Sequence, residues 1–193
     1  KNGSQLCKLL GYHITDGCYE LNRGRKNGIQ FSNNNKLLIE DYSNAIKSIF
    51  GINPIVLRRK NNFSVRVISK NVVEFMKNLD SNLLEKGSIK KIPDKIMMCK
   101  KEDISILLRA MFDGDGTVSF YKKYIEFGIY GDKCFLDNIQ KFICQDTALN
   151  KNKICKNRSI YSLSYGGKHN AKKFYDYLYK DAQGDQVTIA SLS

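Results

Sequence analysis

The stretch Leu108-Arg109-Ala110-Met111-Phe112-Asp113-Gly114-Asp115-Gly116 has a counterpart 99 residues earlier, Leu9-Leu10-Gly11-Tyr12-His13-Ile14-Thr15-Asp16-Gly17. Both copies are mostly apolar, both end in Asp-Gly, and a strand-like run follows each of them. The apolar residues of the first copy recur at helical spacing, which predicts a helix over residues 4–15. Gly17 is expected to end that helix in the left-handed conformation.

The sequence around the two copies repeats in the same register. Leu38 and Leu136, and likewise Phe63 and Tyr161, are 98 residues apart and occupy matching places in the pattern. Each half is predicted to run helix, two strands, helix, two strands, helix. The repeat predicts an α+β fold of two half-domains related by approximate two-fold symmetry.

The repeat also sets the expected domain boundaries. The chain is divided into an N-terminal half over 1–86, a polar and basic linker over 87–103, a C-terminal half over 104–182 and a polar tail over 183–193. Within this scheme the last helix of the first half is predicted over 72–84, and the second motif helix over 104–112.

The composition favours a polyanionic partner. The 193 residues carry a formal net charge of +13, and 42% of them are hydrophobic, so the chain is expected to fold and to bind nucleic acid before an anionic membrane. A merely basic protein is the alternative. The six scattered cysteines predict buried free thiols without a zinc site. With no apolar run of membrane-spanning length and no signal peptide, a soluble intracellular protein is expected, in a prokaryotic cytoplasm or an organelle.

The two acids that end the repeated stretches are placed unusually. Asp16 and Asp115 lie at helix C-termini, where the helix dipole disfavours a carboxylate unless positive charge offsets it. If the two helices pack together through Gly11 and Ala110, both acids converge, and a divalent cation such as Mg²⁺ resolves their repulsion. The alternative is that each Asp-Gly is only a helix stop and turn.

These stretches resemble the signature of the LAGLIDADG homing endonucleases in their two-motif, single-chain form. Phe112-Asp113-Gly114-Asp115-Gly116 matches closely, and Leu9-Leu10-Gly11-Tyr12 with Asp16-Gly17 matches fairly. The resemblance implies two αββαββα halves packed through the motif helices, each presenting a four-stranded antiparallel sheet to DNA. It implies that Asp16 and Asp115, helped by the carbonyls of Thr15 and Gly114, bind the catalytic metals.

The function that follows from the resemblance is a monomeric, Mg²⁺-dependent endonuclease that makes a double-strand break in a long asymmetric DNA site. Mn²⁺ or Ca²⁺ is expected to substitute in binding. The alternative is a catalytically silent nucleic-acid binder of the same fold, either an RNA maturase for a group I intron or a DNA-binding regulator. His13 and Thr15 depart from the family pattern, and His13 is expected to be an interface residue rather than a base. An intron or an intein origin stays open.

Two basic residues are assigned to catalysis by the resemblance. Lys90 begins a Lys-Lys-Ile-Pro element similar to one that precedes the second motif in intein-type members, and Arg158 is taken as its equivalent in the second half. The alternative is that Lys90 and Lys91 are solvated linker charges.

DNA contacts are expected from two sets of residues. Basic residues near strand ends would neutralise phosphates: Arg23, Arg25, Lys26, Arg58, Arg59, Lys60, Lys122, Lys123, Lys151, Lys153 and Lys156. Strand residues on the polar sheet faces would read base edges: Gln30, Ser64, Arg66, Glu126, Ser162 and Ser164. Asp113 has no counterpart in the first copy, where Ile14 stands, and is expected to be structural.

Overall fold

The computed structural model describes residues 2–22, 25–60, 62–85 and 91–179. The chain divides into two compact units, residues 1–110 and 111–193, here called the N-terminal unit and the C-terminal unit. The division falls inside one helix, α4, which begins at Lys101 and ends at Asp115. The order of elements confirms the predicted αββαββα repeat.

The N-terminal unit builds one antiparallel sheet. Its elements are α1 (Asn2–Asp16), β1 (Gly17–Asn22), β2 (Arg25–Asn33), α2 (Lys36–Phe50), β3 (Ile55–Arg59), β4 (Asn62–Ile68) and α3 (Lys70–Leu79). The strand order is β1-β2-β4-β3. The side chains of Ile29, Phe31, Val65 and Val67 alternate with polar residues and are buried. One face of the sheet therefore belongs to the core and the other is polar.

Local sequence explains where these helices begin and end. The Asn35 side chain accepts a hydrogen bond from the Leu37 backbone N–H at the start of α2, and Gly51 ends that helix with φ 68°. The Ser69 side chain caps α3 in the same manner. The predicted helix over 72–84 is wrong at its end. It stops at Leu79 because Asp80 is extended and its carboxylate caps a separate 3₁₀ turn, Ser81–Leu84.

The C-terminal unit repeats the sheet. After α4 come β5 (Thr117–Phe120), β6 (Ile125–Gly131), α5 (Lys133–Asp146), β7 (Cys155–Asn157), β8 (Ile160–Gly166) and α6 (Lys168–Tyr179). The strand order β5-β6-β8-β7 is that of the first sheet. The Asp132 side chain caps α5. Phe127, Leu163 and Tyr165 are buried on the core face.

Strand register confirms the internal repeat residue by residue. Asn33 pairs with Phe63 in the first sheet, and Gly131 pairs with Tyr161 in the second, 98 residues further on. Cys18 pairs with Gln30, and Thr117 pairs with Gly128. Because Thr117 stands 99 residues beyond Cys18 and Gly128 stands 98 beyond Gln30, the one-residue slip lies in the connection between the first two strands of each unit.

Three local expectations need correction. Helix α4 begins at Lys101, so the end of the predicted linker is helical, and Ile92 and Ile96 within that linker are buried. Gly17 is not left-handed, since Gly51 and Gly167 are the glycines with positive φ in the described part of the chain. All six cysteines are free, but Cys7 alone is buried as predicted, whereas Cys18, Cys99 and Cys144 are half-buried and Cys134 and Cys155 are exposed. Among the described helices, none combines the length and the apolar character needed to span a membrane.

Candidate functional site

Asp16 and Asp115 are the last helical residues of α1 and α4, so α4 runs three residues beyond the predicted end at Phe112. Both side chains are half-buried, and the first strand of each sheet starts directly afterwards. Each acid therefore sits where a helix passes into the edge strand of a sheet. A carboxylate at this negative end of the helix dipole gains from a donor or a cation nearby.

The N-terminal unit supplies such a donor. Asn33 Nδ2 donates a hydrogen bond of 3.0 Å to Asp16 Oδ2. The Asn33 amide is itself fixed, because its Oδ1 accepts from the Asn35 backbone N–H at 2.9 Å. This pairing orients the Asp16 carboxylate, whose two oxygens can each accept more than one hydrogen bond or bind a cation. Asn33 was not predicted from the sequence, since the contact joins residues 17 positions apart.

The C-terminal unit cannot make the equivalent bond through a side chain. The position that matches Asn33 is Gly131, which pairs with Tyr161 as Asn33 pairs with Phe63. Within α4, Asp113 Oδ1 accepts a 2.5 Å hydrogen bond from the Tyr179 hydroxyl at the end of α6. That contact agrees with the structural role predicted for Asp113.

The glycine after each acid is required by a close approach. A Cβ at Gly17 would lie 2.3 Å from His13 Cγ and 2.4 Å from the His13 carbonyl oxygen. A Cβ at Gly116 would lie 2.4 Å from both Phe112 Cδ2 and the Phe112 carbonyl oxygen. The chain turns from helix to strand directly over the residue four positions earlier, which leaves no room for a side chain. Asp-Gly thus fixes the direction in which the acid leaves its helix.

His13 is a packing residue within the N-terminal unit. Its ring is buried, and its Nδ1 and the Tyr42 hydroxyl of α2 form a 2.9 Å hydrogen bond. Burial lowers the pKa of His13 to about 4, with a smaller opposing contribution from the Leu83 backbone. His13 is therefore neutral at physiological pH. Thr15 Oγ1 donates to the Tyr12 carbonyl oxygen at 2.8 Å, so its side chain is turned back onto α1.

A single carboxylate at a helix end suits a divalent cation whose other ligands are waters and a substrate phosphate. Among the described residues, no three His, Cys, Asp or Glu side chains cluster closely enough to enclose a metal ion. One carboxylate per helix end matches the coordination of Mg²⁺, which is commonly held by one or two carboxylates with waters and substrate phosphates. Each helix end, taken by itself, therefore offers a carboxylate that fits an open divalent site completed by waters and a phosphate.

The polar face of the first sheet carries the predicted base-reading residues. Gln30, Ser64 and Arg66 share this face, and Gln30 Nε2 donates to Ser32 Oγ at 2.8 Å. Arg66 also forms an ion pair of 3.3 Å with Glu20, whose carboxylate is largely buried. Ser64 is buried despite lying on the polar face. Glu20 and Ser32 were not predicted, and they hold the predicted base-reading side chains in place.

The second sheet has a less charged polar face. Glu126, Ser162 and Ser164 share it, with small residues such as Gly128 between them. The Ser164 carbonyl oxygen accepts a 2.7 Å hydrogen bond from Asn152 Nδ2, and Ser162 Oγ donates to the Cys155 carbonyl oxygen at 3.4 Å. The three predicted residues are thus brought to one surface, as expected from the strand alternation.

The basic residues near strand ends differ in their surroundings. Most of these basic residues are exposed to solvent. The exposed ones are Lys26, Arg58, Arg59, Lys60, Lys122, Lys123, Lys151, Lys153 and Lys156. Lys26 pairs with Glu85 at 2.8 Å and lies 4.6 Å from the Tyr19 ring centroid. Arg58 lies on the α2 side of its sheet, 5.9 Å from the Phe63 ring centroid, away from the polar face. Arg23 and the side chain of Arg25 lie outside the described residues.

Arg158 lies in the turn between β7 and β8, whereas Asp115 precedes β5 at the opposite edge of the sheet. Arg158 occupies the β7–β8 turn with φ 55°, where the repeat makes it the counterpart of Lys60 rather than of Lys90. Thr117, two residues after Asp115, is level with Ser164, which lies six residues along β8 from Arg158, or about 20 Å. A role for Arg158 beside Asp115 stays a prediction. Lys90 lies outside the described residues, and the neighbouring Lys91 is exposed and pairs with Asp94 at 3.4 Å.

Comparisons with known proteins bear on both the family and the fold. Residues 5–79 match the family model of the LAGLIDADG-like domain. A glutamine–fructose-6-phosphate aminotransferase (isomerizing) of Methanocaldococcus jannaschii is 24% identical over 137 residues, which cover 70% of this chain and 12% of that protein. The similarity to the aminotransferase is thus confined to a small part of its length.

Solved structures share the whole architecture at low sequence identity. The homing endonuclease I-DmoI, in a study of mesophilic variants, matches with a TM-score of 0.66 at 13% identity, covering 93% of this chain and 98% of that one. I-DmoI in complex with DNA and Mn gives 0.68 at 13% identity, covering 92% and 97%. Full-length DUF199/WhiA from Thermatoga maritima gives 0.60 at 16% identity, covering 99% of this chain and 61% of that one.

The family-model match is confined to the N-terminal unit, whereas the match in fold covers both units. Two four-stranded antiparallel sheets, one in each unit and each preceded by a helix that ends at an Asp, match the fold of these structures. That fold is common to homing endonucleases and to DUF199/WhiA. The chain therefore carries a LAGLIDADG-like domain over residues 5–79 and shares the fold of these structures over nearly its whole length.

Proposed function

We propose that this protein is a divalent-metal-dependent, site-specific DNA endonuclease that makes a double-strand break in a long asymmetric target. The observation that carries the proposal is the equivalent placement of Asp16 and Asp115 as the last residues of the two motif helices. A helix stop needs no acid at that position, and the dipole disfavours one. Two such acids in one repeat favour a shared chemical role.

In this proposal Asp16 and Asp115 are the metal ligands, with the backbone carbonyls of Thr15 and Gly114 as additional oxygen donors. A bound divalent cation would supply an activated water and neutralise charge on the scissile phosphate. Asn33 keeps the Asp16 carboxylate oriented through its 3.0 Å hydrogen bond. Lys90 is retained as the proposed basic residue near the phosphate, and Arg158 is reassigned to contact with the DNA backbone.

Mg²⁺ is the proposed physiological ion. The carboxylate and carbonyl oxygens proposed as ligands are hard donors, which suit Mg²⁺ and Ca²⁺ rather than softer metals. The I-DmoI structures with DNA contain Mn or Ca, which supports divalent-metal use in a protein of this fold. Mn²⁺ is expected to support cleavage here, and Ca²⁺ to support binding.

DNA recognition is assigned to the polar sheet faces and the basic turns. Arg66, held by Glu20, and Gln30, bonded to Ser32, are donors fixed on an open surface. Fixed donors suit recognition of base edges in the major groove. Exposed lysines and arginines at the turns would bind phosphates without sequence preference. With a net charge of +13, binding should weaken steeply as salt rises.

The chain is similar to only a small part of a much longer aminotransferase, which supports the proposal that it is encoded as an insertion within another gene. A match to 12% of that protein is what a self-contained domain within another reading frame would produce. We therefore favour an intein-associated endonuclease over an intron-encoded one, with the target lying in the uninterrupted host gene.

The test is cleavage by the full chain and by two single variants. Purified protein would be incubated with a random-sequence DNA library and Mg²⁺, and the newly formed ends sequenced to define the site. Asp16→Asn and Asp115→Asn are each expected to lower cleavage of that site by roughly a thousandfold or more, which is about 4 kcal/mol of transition-state stabilisation. DNA binding in Ca²⁺ should stay near wild type. Asp176→Asn on the surface of α6 is the charge-matched control.

A catalytically silent binder is the second candidate. It is favoured by the fold shared with DUF199/WhiA and by Thr15 beside Asp16, whose side chain is bonded to the Tyr12 carbonyl. Selective DNA or RNA binding without any break, at every protein and metal concentration, would establish this candidate and reject the nuclease.

A further inference from the structure

The C-terminal unit carries an apolar groove with no part in the proposed nuclease site. It has a volume of about 650 Å³ and lies between the β5–β6 hairpin and about the first two turns of α6. Phe120, Tyr121, Tyr124 and Ile125 line it and are between 40% and 63% exposed. Tyr121 and Tyr124 stack with ring centroids 4.6 Å apart. Four large exposed apolar side chains in one groove indicate a surface that is covered by a binding partner.

The groove lies on the core face of its sheet. Val118, Phe120 and Phe127 line it, and strand alternation places them opposite Ser119, Glu126 and Gly128 of the polar face. DNA bound to the polar face would therefore leave the groove open. Its occupant is expected to be protein.

The N-terminal unit shows what fills the matching place. After α3, the 3₁₀ turn Ser81–Leu84 returns to β1. Leu83 and Leu84 are buried there, and Glu85 pairs with Lys26 of β2 at 2.8 Å. The segment that follows the last helix of the N-terminal unit thus closes the core beside the first hairpin. In the C-terminal unit, the segment that follows the corresponding helix begins at residue 180.

We propose that the groove is the docking site of the chain's own C-terminal segment, with Val187 and Ile189 seated among Phe120, Tyr121 and Tyr124. The Val-Thr-Ile sequence at 187–189 places two β-branched apolar residues on one side of an extended chain. This inference does not depend on the proposed nuclease activity.

Charge and reach both suit this occupant. Residues 181–193 contain Asp181 and Asp185 and no basic residue, whereas Lys123, Lys168 and Lys172 border the groove. The 12-residue α6 is about 18 Å long. The residues from 180 to 186 span up to about 23 Å when extended. The chain can therefore return along α6 and bring Val187 to the hairpin.

Hydrogen exchange of the full chain tests the docking. Val187→Asp/Ile189→Asp is expected to raise exchange in residues 118–127 by roughly tenfold or more, because burying a Val or Ile side chain stabilises a contact by at least that factor. It is also expected to increase binding of an apolar dye. Gln186→Asp/Ser191→Asp adds the same charge to the segment without removing an apolar side chain and should leave both signals unchanged.

The reciprocal variant, Phe120→Ser/Tyr124→Ser, should raise exchange within residues 183–193. Equal exchange in the wild type and in the Val187→Asp/Ile189→Asp variant would overturn the proposal. Protection of 118–127 that depends on protein concentration, with a dimer in light scattering, would also overturn it, because a second copy would then occupy the groove.

Discussion

The two motif helices end in the same acid but are anchored by different chemistry. In the N-terminal unit, α1 is joined to α2 by polar contacts: Lys8 and Tyr12 each donate to Asp41 at 2.9 Å, and His13 bonds Tyr42. In the C-terminal unit, the residue matching His13 is Phe112. Its ring packs 5.7 Å from Phe127 and 5.6 Å from Phe174.

The difference shows which features the backbone demands and which it leaves open. Both units require glycine after the acid, because both turn over the residue four positions earlier. Neither requires a particular side chain beneath the turn, since His13 and Phe112 fill the same place. Hydrogen bonds have preferred directions, whereas apolar contacts do not. The N-terminal unit is therefore expected to hold its acid in a more defined geometry and to respond more strongly to pH.

The largest effect should come from the feature common to both units. Gly17→Ala and Gly116→Ala each force a Cβ to within 2.4 Å of a backbone carbonyl oxygen, which a side-chain rotation cannot relieve. Each variant is expected to lose about 3 kcal/mol or more of unfolding free energy, measured by denaturant titration. Gly166→Ala is the control, since its Cβ would meet the flexible carboxylate of Glu126 at 3.3 Å. A tolerated Gly17→Ala would show that the two turns are not equivalent.

The second effect is a dependence of the unfolding free energy on pH, which is expected from His13 in the N-terminal unit and not from Phe112 in the C-terminal unit. Folding lowers the pKa of His13 from 6.5 to about 4. Between these values the unfolded chain binds more protons than the folded one, so the free energy of unfolding falls as the pH drops from about 6.5 to about 4. The loss is on the order of 3 kcal/mol.

His13→Phe/Tyr42→Phe replaces the polar pair with apolar rings, as Phe112 does in the C-terminal unit. This variant should remove most of that pH dependence in denaturant titrations at several pH values. His169→Gln, at an exposed position, is the matched control and should keep the wild-type profile. An unchanged slope in the double variant would mean that His13 does not govern the acid response.

The repeat made the architecture predictable, because periodicity and turn residues repeat along the whole chain. Asp16, Asp115 and the polar faces followed from that pattern. The end of α3 was missed because Asp80 stops the helix while the apolar periodicity continues to Leu84. Asn33 and Glu20 were missed because their roles depend on contacts between different elements, a helix end for Asn33 and another strand for Glu20, which no local pattern encodes. Arg158 was paired with Lys90 by its nearness to Tyr161, whereas the 98-residue offset makes it the counterpart of Lys60.

A third effect concerns the acid geometry. Asn33→Gly gives the N-terminal unit the residue found at Gly131 and removes the 3.0 Å bond to Asp16. If the proposed nuclease role is correct, cleavage of one DNA strand should slow by roughly tenfold, the scale of one neutral hydrogen bond. Nicked plasmid should then accumulate before the linear product. Asn44→Gly, on the exposed side of α2, tests for a general loss of stability. Equal slowing of both strands would contradict a specific link to Asp16.

The smallest expected effect tests whether Lys26, in the first hairpin of the N-terminal unit, contacts a DNA phosphate. Glu85 pairs with Lys26 at 2.8 Å, and both side chains are half-exposed, so Glu85→Gln should leave stability nearly unchanged. Released from its partner, Lys26 becomes available to a phosphate. The slope of log affinity against log salt should therefore steepen by up to about one. Glu40→Gln, which removes the partner of Lys36 on α2, is the matched control. A steepening of the same size in both variants would reflect net charge alone and would place Lys26 away from the DNA.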